Sequence, residues 1–430
     1  MKKFSIKTFG CQMNVHDSEK MAGILKASGM AQAEDQSDAD IIIFNTCSIR
    51  QKAEQKFRSE LGRIKSVKKK RPGVKIAVAG CIAQQRGAEI FKRAGHVDYV
   101  IGPQNIHLIG DMVKSEGVKK TALEDNPDIA GLELPALRGE KGRAWVSIMY
   151  GCNNFCSYCI VPYTRGREKS RASESILREI RGLAKDGFRE VTLLGQNVNS
   201  FRSDTDFPEL LHKINEIEGL KRIRFVTNHP RDLSDRLVEA MERLDKVCEH
   251  IHLPLQSGST RILGLMNRGY AYGDYKEKID KLRDRMPDIS ITSDIIAGFP
   301  TETDKDHGDT VKALGEIGFD GIFAFKFSPR PGTAASLMEG QLPEDLKAER
   351  LHEILRIQDG ITLVKNKGLE GSIADVLVEG LSQTDGDRLT GRTRTNKIVN
   401  FKKDPGISAG SIIRVRILEA KKHSLKGEVV

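Results

Sequence analysis

The chain reads as an α/β protein in three parts: an N-terminal parallel-sheet α/β domain, a central partial (βα)6 barrel and a small C-terminal antiparallel β-barrel. Three observations point there. Short apolar runs alternate with helix-period stretches over two long blocks of the chain. A stretch with prolines, glycines and no period separates those blocks. Residues 371–430 then change texture, to brief β-branched runs broken by Gly, Asp and Pro. A chain of 430 residues exceeds one ordinary core, which agrees with several domains.

In order, the first block runs FSIKTFG, SEKMAGILKASGM, DIIIFNTC, the charged helix KAEQKFRSELGRIKSVKKK, KIAVAGC, GAEIFKRAG and VDYVIG, so strand and helix alternate as in a helix-covered parallel sheet. Its domain is placed at 1–118 and a linker at 119–142. From RAWVSIM the alternation resumes through EVTLLG, RIRFVT, HIHLPLQ, ISITSDIIAGF and GIFAFKFS, which are six strand-helix units over 143–366. A partial barrel fits these better than an open sheet, and either way the strand C-terminal ends face one cavity. Residues 367–430 form the last domain, with GRTRTNK as a basic patch.

Lys plus Arg exceed Asp plus Glu by ten, which favours a polyanionic partner. No apolar run approaches the ~18 residues of a membrane span, and the start MKKFSIKTFGCQMN lacks a signal peptide's apolar core, so a cytoplasmic protein without membrane contact is expected. There is no GxxxxGK[ST] phosphate loop and no GxSxG elbow, which speaks against ATP-driven and serine-hydrolase chemistry.

Seven cysteines in a reducing compartment read as metal or catalytic thiols rather than disulfides. Cys152, Cys156 and Cys159 stand as C-x3-C-x2-C in GCNNFCSYCIVPY, too compact for the paired hooks of structural zinc. Three thiolates from one loop suit three irons of a cubic iron-sulfur cluster and leave the fourth iron open for a substrate or cofactor. Cys11, Cys47 and Cys81 each end a strand, at separations of 36 and 34 residues, about one strand-helix unit apart. Parallel strands carry such thiols to one carboxyl edge, a second three-ligand site. Cys248 has no partner in sequence and reads as a core or surface thiol.

TFGCQMNVHDSEK, NTCSIRQKAEQK, AGCIAQQ, GCNNFCSYCIVPYTRGREKSR, LLGQNVNSF, HLPLQSGS and IIAGFP together resemble the methylthiotransferases, a branch of the radical S-adenosylmethionine (SAM) enzymes, over nearly the whole chain. GCQMN, with Gln where protein-modifying relatives carry Lys, and the stretch after NTC resemble the tRNA-modifying branch. The resemblance implies that Cys152, Cys156 and Cys159 hold the radical SAM 4Fe-4S cluster, and Cys11, Cys47 and Cys81 an auxiliary 4Fe-4S cluster that carries sulfur. It implies addition of a methylthio group to carbon 2 of N6-isopentenyladenosine next to the tRNA anticodon, with two SAM molecules consumed. A flavodoxin-type electron donor and iron-sulfur assembly proteins are the further implied partners, and a monomer is expected.

Gly195, Gln196 and Asn197 match the family's contact to the SAM amino group. Gln256, Asp294 and Ile296, at later strand ends, are candidates for its ribose or adenine, and Arg165 and Arg167 for a carboxylate or phosphate. The family often has Gly after GFP, where this chain has Thr301. The C-terminal segment is similar to the TRAM domain, an RNA-binding barrel, and makes Arg392, Arg394, Lys397, Lys402 and Lys403 candidate phosphate contacts. The run Lys68–Arg71 extends that track or caps a helix. Two other readings stand beside this one: the same chemistry on a ribosomal protein or on threonylcarbamoyl-adenosine in tRNA, and a non-catalytic iron-sulfur RNA-binding protein.

Overall fold

The computed structural model describes residues 1–48, 51–114, 119–139, 141–383 and 385–430. Ile49 and Arg50 of the NTCSIRQKAEQK stretch, and the domain boundary placed at 118, lie outside the described residues. Two compact units form: Met1–Gly139 with Met149–Asn153 and Ile160–Ala172, and Glu140–Ile148 with Asn154–Cys159 and Ser173–Val430.

The first unit is built on a six-stranded parallel sheet of β1 (Lys3–Phe9), β2 (Ala31–Gln32), β3 (Ile41–Thr46), β4 (Lys75–Gly80), β5 (Tyr99–Ile101) and β6 (Lys120–Ala122), in the order β2-β1-β3-β4-β5-β6. β6 falls in the stretch that the sequence reads as linker. Three residues are too few to show a period, so pairing with β5 defines this strand and local pattern does not. The continuous apolar run of β3 has a simple cause. Ile41 and Ile43 pack on one face with Met21 and Leu25 of α1 (Gln12–Ala27), while Ile42 and Phe44 pack on the other with Phe57, Leu61 and Ile64 of α2 (Gln51–Lys70). A strand buried on both faces keeps no polar alternation.

In the second unit β7 (Arg143–Ser147), β10 (Glu190–Leu194) and β11 (Arg222–Phe225) form one parallel sheet, and β12 (His250–His252), β13 (Ser290–Ala297) and β14 (Gly321–Lys326) another. A parallel bridge from Ile223 to Val247 joins β11 to the approach of β12, so six strands follow each other in chain order around an open arc. Between β7 and β10 the chain forms a small antiparallel pair, β8 (Met149–Tyr150) with β9 (Lys169–Ser170), which belongs to the first unit. The helix Glu344–Lys367 packs outside β14 and leads into a closed barrel of β15 (Ile373–Leu381), β16 (Arg388–Thr393), β17 (Ile398–Lys402), β18 (Ile412–Ala420) and β19 (Leu425–Val429). Its pairings are antiparallel except β17 with β19, which are parallel because the last strand closes the barrel beside β17. Among the described residues no helix is long and apolar enough to cross a membrane.

Candidate active site

Strand register sets the first group of thiols. Phe9 of β1 is level with Thr46 of β3, and Thr46 with Gly80 of β4, so the residues that follow, Cys11, Cys47 and Cys81, leave three neighbouring strands at one edge. Cys47 N–H donates to the Phe9 carbonyl at 2.9 Å, which fixes that level. Beneath them Asn14 and Asn45 interlock: Asn14 Nδ2 donates to Asn45 Oδ1 (3.1 Å) and to the Thr46 carbonyl (3.2 Å), and Asn45 Nδ2 donates to the Asn14 carbonyl (2.7 Å). Asn14 Oδ1 accepts from the Cys11 thiol at 3.4 Å.

Electrostatics divide the thiols. A hydrogen bond with Cys47, aided by the nearby Arg165 charge, outweighs burial and brings the Cys11 thiol down to about 6, whereas burial raises Cys81 against the pull of Arg165. Arg165 is itself buried, and its Nη2 lies 2.8 Å from Asp17 Oδ2. Burial opposes its charge, but Asp17 and the Cys81 and Cys11 thiols hold it on the guanidinium. Arg165, a candidate carboxylate or phosphate contact in the sequence, lies beside the N-terminal thiols. Gln104 Nε2 donates to the Arg165 carbonyl (3.1 Å) and to Asp125 Oδ1 (2.9 Å), tying this turn to the sheet. Arg167 is exposed.

The C-x3-C-x2-C loop crosses the division between units, with Cys152 in the first and Cys156 and Cys159 in the second. Cys152 N–H donates to the Gly166 carbonyl (3.2 Å), and Cys159 N–H to the Cys156 carbonyl (2.9 Å). Arg268, which the sequence reading missed, is buried and donates from Nη1 to Cys156 Sγ at 3.3 Å, with its Nη2 on the Pro254 carbonyl (3.1 Å) and its Nε on Tyr270 Oη (3.0 Å). A fixed positive charge on a sulfur suits a thiolate that binds metal. Among the described residues no three His, Cys, Asp or Glu side chains converge as the ligands of a single ion would. A cubic cluster asks for less, one thiolate on each of three irons, and the donor set of each triad fits it.

Around the arc the strand ends are strained and polar. Thr227 and Gln256, past the ends of β11 and β12, have φ of +67° and +74°, and Phe155 in the cysteine loop +46°, the left-handed region that non-glycine residues enter at a cost of about 1–3 kcal/mol, usually at functional sites. Gln256 N–H donates to the Asp294 carbonyl and its own carbonyl accepts from Ile296 N–H, which carries β12's pairing onward past the strand end. The Gly195 carbonyl accepts from Thr227 Oγ1 (2.9 Å), and Asn197 Nδ2 donates to Asp232 Oδ2 (2.6 Å). Asn197 Oδ1, Asn228 Oδ1 and His229 Nε2 are buried with no hydrogen-bond partner among the described residues. Buried polar atoms seldom stay so, and these fit a polar ligand at the ends of β10 and β11. Gln196 lies next to them, half-buried. Asp294 faces His252, Oδ2 to Nε2 at 3.4 Å.

The basic residues of the C-terminal barrel separate into two sets. Arg392 pairs with Glu379 (2.9 Å), Arg394 with Glu249 (2.6 Å) and Lys397 with Asp320 (2.9 Å), so three of the candidate phosphate contacts carry intramolecular ion pairs. Lys402 and Lys403 are exposed. In the Lys68–Arg71 run, Lys68 binds Asp98 (2.8 Å) and Arg71 lies 3.7 Å from Asp40. Cys248 is buried.

Family models match along the chain: the uncharacterized protein family UPF0004 over residues 3–102, the radical SAM superfamily over 146–314 and the TRAM domain over 367–430. Among solved structures, the radical S-adenosylmethionine methyltransferase TsrM from Kitasatospora setae aligns with a TM-score of 0.59 at 12% identity, over 78% of this chain and 75% of that one, a likeness of fold. The tRNA-2-methylthio-N(6)-dimethylallyladenosine synthase of Syntrophus aciditrophicus is 50% identical, over 100% of this chain and 95% of its own length. The enzyme of the same name from Thermodesulfovibrio yellowstonii is 54% identical over 99% of this chain and 98% of its own. With that identity along its whole length, and with three domain matches in series along it, the chain belongs to the family of tRNA-2-methylthio-N(6)-dimethylallyladenosine synthases, radical SAM methylthiotransferases.

Proposed function

We propose that the chain adds a methylthio group to carbon 2 of N6-isopentenyladenosine next to the anticodon of a tRNA, using two SAM molecules and two 4Fe-4S clusters. Cys152, Cys156 and Cys159 are the ligands of one cluster; Cys11, Cys47 and Cys81 are those of the other. The observation that carries the two-site reading is the shared level of Phe9, Thr46 and Gly80, which delivers three thiols to one sheet edge. Such clusters supply the one-electron chemistry that an adenine carbon-hydrogen bond, having no leaving group, requires.

The protein's own part is to hold and to shield. Arg268 balances the charge on Cys156, and Arg165, locked by Asp17, does the same beside Cys81. Gly195, Gln196 and Asn197 bind the polar end of SAM, where Asn197 Oδ1 has its unused acceptor. Gln256, Asp294 and Ile296 line the remainder of that cavity. Lys402 and Lys403 contact phosphates of the anticodon stem-loop. An electron donor such as flavodoxin and iron-sulfur assembly proteins complete the set of partners, and the enzyme works in the cytoplasm as a monomer.

The test is anaerobic reconstitution of the wild type and of a Cys152/Cys156/Cys159→Ala variant, followed by incubation with SAM, dithionite and an isopentenylated anticodon stem-loop RNA. The wild type is expected to bind two clusters, release 5′-deoxyadenosine and methylthiolate the RNA, while the variant keeps one cluster and does neither. Cleavage of SAM with untouched RNA would overturn the substrate, and uptake of one cluster or none would overturn the two-site reading.

A further inference from the structure

Parallel register puts two phenylalanines on the inner face of the arc. In β13 and β14 Asp294 is level with Phe323 and Ile296 with Phe325. The alternate residues of β14 face outward: Lys326 reaches Glu344 of the helix outside the strand at 2.9 Å. Phe323 and Phe325 therefore share a face with Asp294 and Ile296, and the His252 ring, 5.9 Å from that of Phe323 and inclined at 66°, lies on the same side. Folding leaves these rings uncovered, with Phe323 at 55% and Phe325 at 42% exposure. Inward positions of a strand-helix arc normally bury their side chains, so two exposed aromatics in a row mark a surface kept for something else.

We infer that Phe323 and Phe325, with the Asp294–His252 pair beside them, seat the substrate base: the rings stack the adenine and shelter its apolar N6 chain. This rests on the function proposed above. The fit is chemical. A purine offers a flat π face, a branched alkenyl substituent offers apolar area, and its ring nitrogens need polar partners at the edge. His252 is held in one orientation, with Nδ1 3.0 Å from Thr292 Oγ1 and Nε2 3.4 Å from Asp294 Oδ2, so both its nitrogens are engaged and the half-buried Asp294 carboxylate is the polar group it holds next to the rings. The place is right for the reaction as well. Ile296, one step along β13 from Asp294 on the same face, packs on the cluster of Phe299, Phe327 and Met266 that also receives Tyr158, which directly precedes Cys159.

The experiment compares binding of an isopentenylated and an unmodified anticodon stem-loop RNA to the anaerobically reconstituted full chain by fluorescence anisotropy. Wild type, Phe323→Ala, Phe325→Ala, Phe323→Leu and Phe323→Trp are measured, with bound iron as the check on folding. The wild type should prefer the isopentenylated RNA. Each alanine variant should lose about tenfold of affinity for it, the loss of one base–aromatic stack, and much of the preference; Trp should restore both and Leu should restore less. Unchanged preference in the alanine variants of a discriminating enzyme overturns the seat alone, as does a loss confined to SAM affinity in equilibrium dialysis. A wild type that binds both RNAs equally overturns the seat together with the proposed substrate.

Discussion

Gly80 ends β4 directly before Cys81. It holds φ at +90°, and a Cβ there would run into Asn45 Oδ1 and the Thr46 carbonyl, the two acceptors that Asn14 Nδ2 binds beneath the thiols. Gly80→Ala should therefore displace Cys81 without removing a thiol. We expect its iron uptake on reconstitution to fall to that of Cys81→Ser, with the far-UV spectrum unchanged; uptake equal to wild type would mean that the edge tolerates the shift. The cysteines themselves were legible in sequence because their separations match the length of a strand-helix unit and because only a parallel sheet turns that spacing into proximity. Arg165 and Arg268 were not. Arg165 is held beside Cys81 by Asp17, 148 residues away in the chain, and Arg268 reaches Cys156 across 112 residues, and no local pattern encodes such a pairing. Thr301 is intermediate: it takes φ of +65°, so the glycine usual in the family at this position has a backbone reason that this chain overrides.

At the scale of elements, β11 fastens the C-terminal barrel to the strand-helix arc. Arg222 donates to the Arg392 (2.8 Å) and Asp375 (2.9 Å) carbonyls, and Arg224 to those of Arg394 (2.8 Å) and Thr393 (2.6 Å) while its Nε holds Glu190 at 2.9 Å. Both guanidiniums and Glu190 are buried. Arg224→Ala leaves the Glu190 carboxylate with Arg222 alone, 4.0 Å away, and frees two carbonyls, and breaking a buried pair from one side costs about 3–5 kcal/mol. Expected are a lower urea midpoint and early proteolytic release of the C-terminal barrel, whereas a wild-type digestion pattern would show the docking to be held elsewhere. The six strands of the arc and the change from strand-helix alternation to successive strands after residue 370 could be read from the sequence pattern. The basic residues of β16 and the turn after it could not be read by charge alone. Arg392, Arg394 and Lys397 look like a phosphate track in sequence, yet Glu379, Glu249 and Asp320 come to them only through the fold.

Across the whole molecule an excess of ten positive charges suits an RNA substrate, but the buried charge pattern sets its response to acid. Among the described residues three histidines, His16, His229 and His250, are buried, and each is held neutral. Burial comes first in every case, joined by the charges of Lys20, Arg138, Arg171 and Arg165 around His16, of Arg268, Arg231 and Lys278 around His229, and of Arg224, His252, Arg392 and Lys397 around His250. His16 and His250 fall well below the ordinary 6.5 and His229 to about 2. A folded value below the unfolded one means that the unfolded chain takes up protons first. The stability from these groups is thus complete above pH 6.5 and drains away as pH falls, at about 1.4 kcal/mol per pH unit for each histidine. Carboxylates such as Asp204, lowered to about 2 by its hydrogen bonds to Ser173, add their loss only below pH 4. The iron-free chain should therefore show a urea midpoint that declines steadily from pH 7 to pH 5, above the range in which lowered carboxylates such as Asp204 titrate. His229→Gln should flatten that decline by the share of one histidine, and a midpoint constant over the interval, or one that rises, would mean that these imidazoles take protons inside the fold.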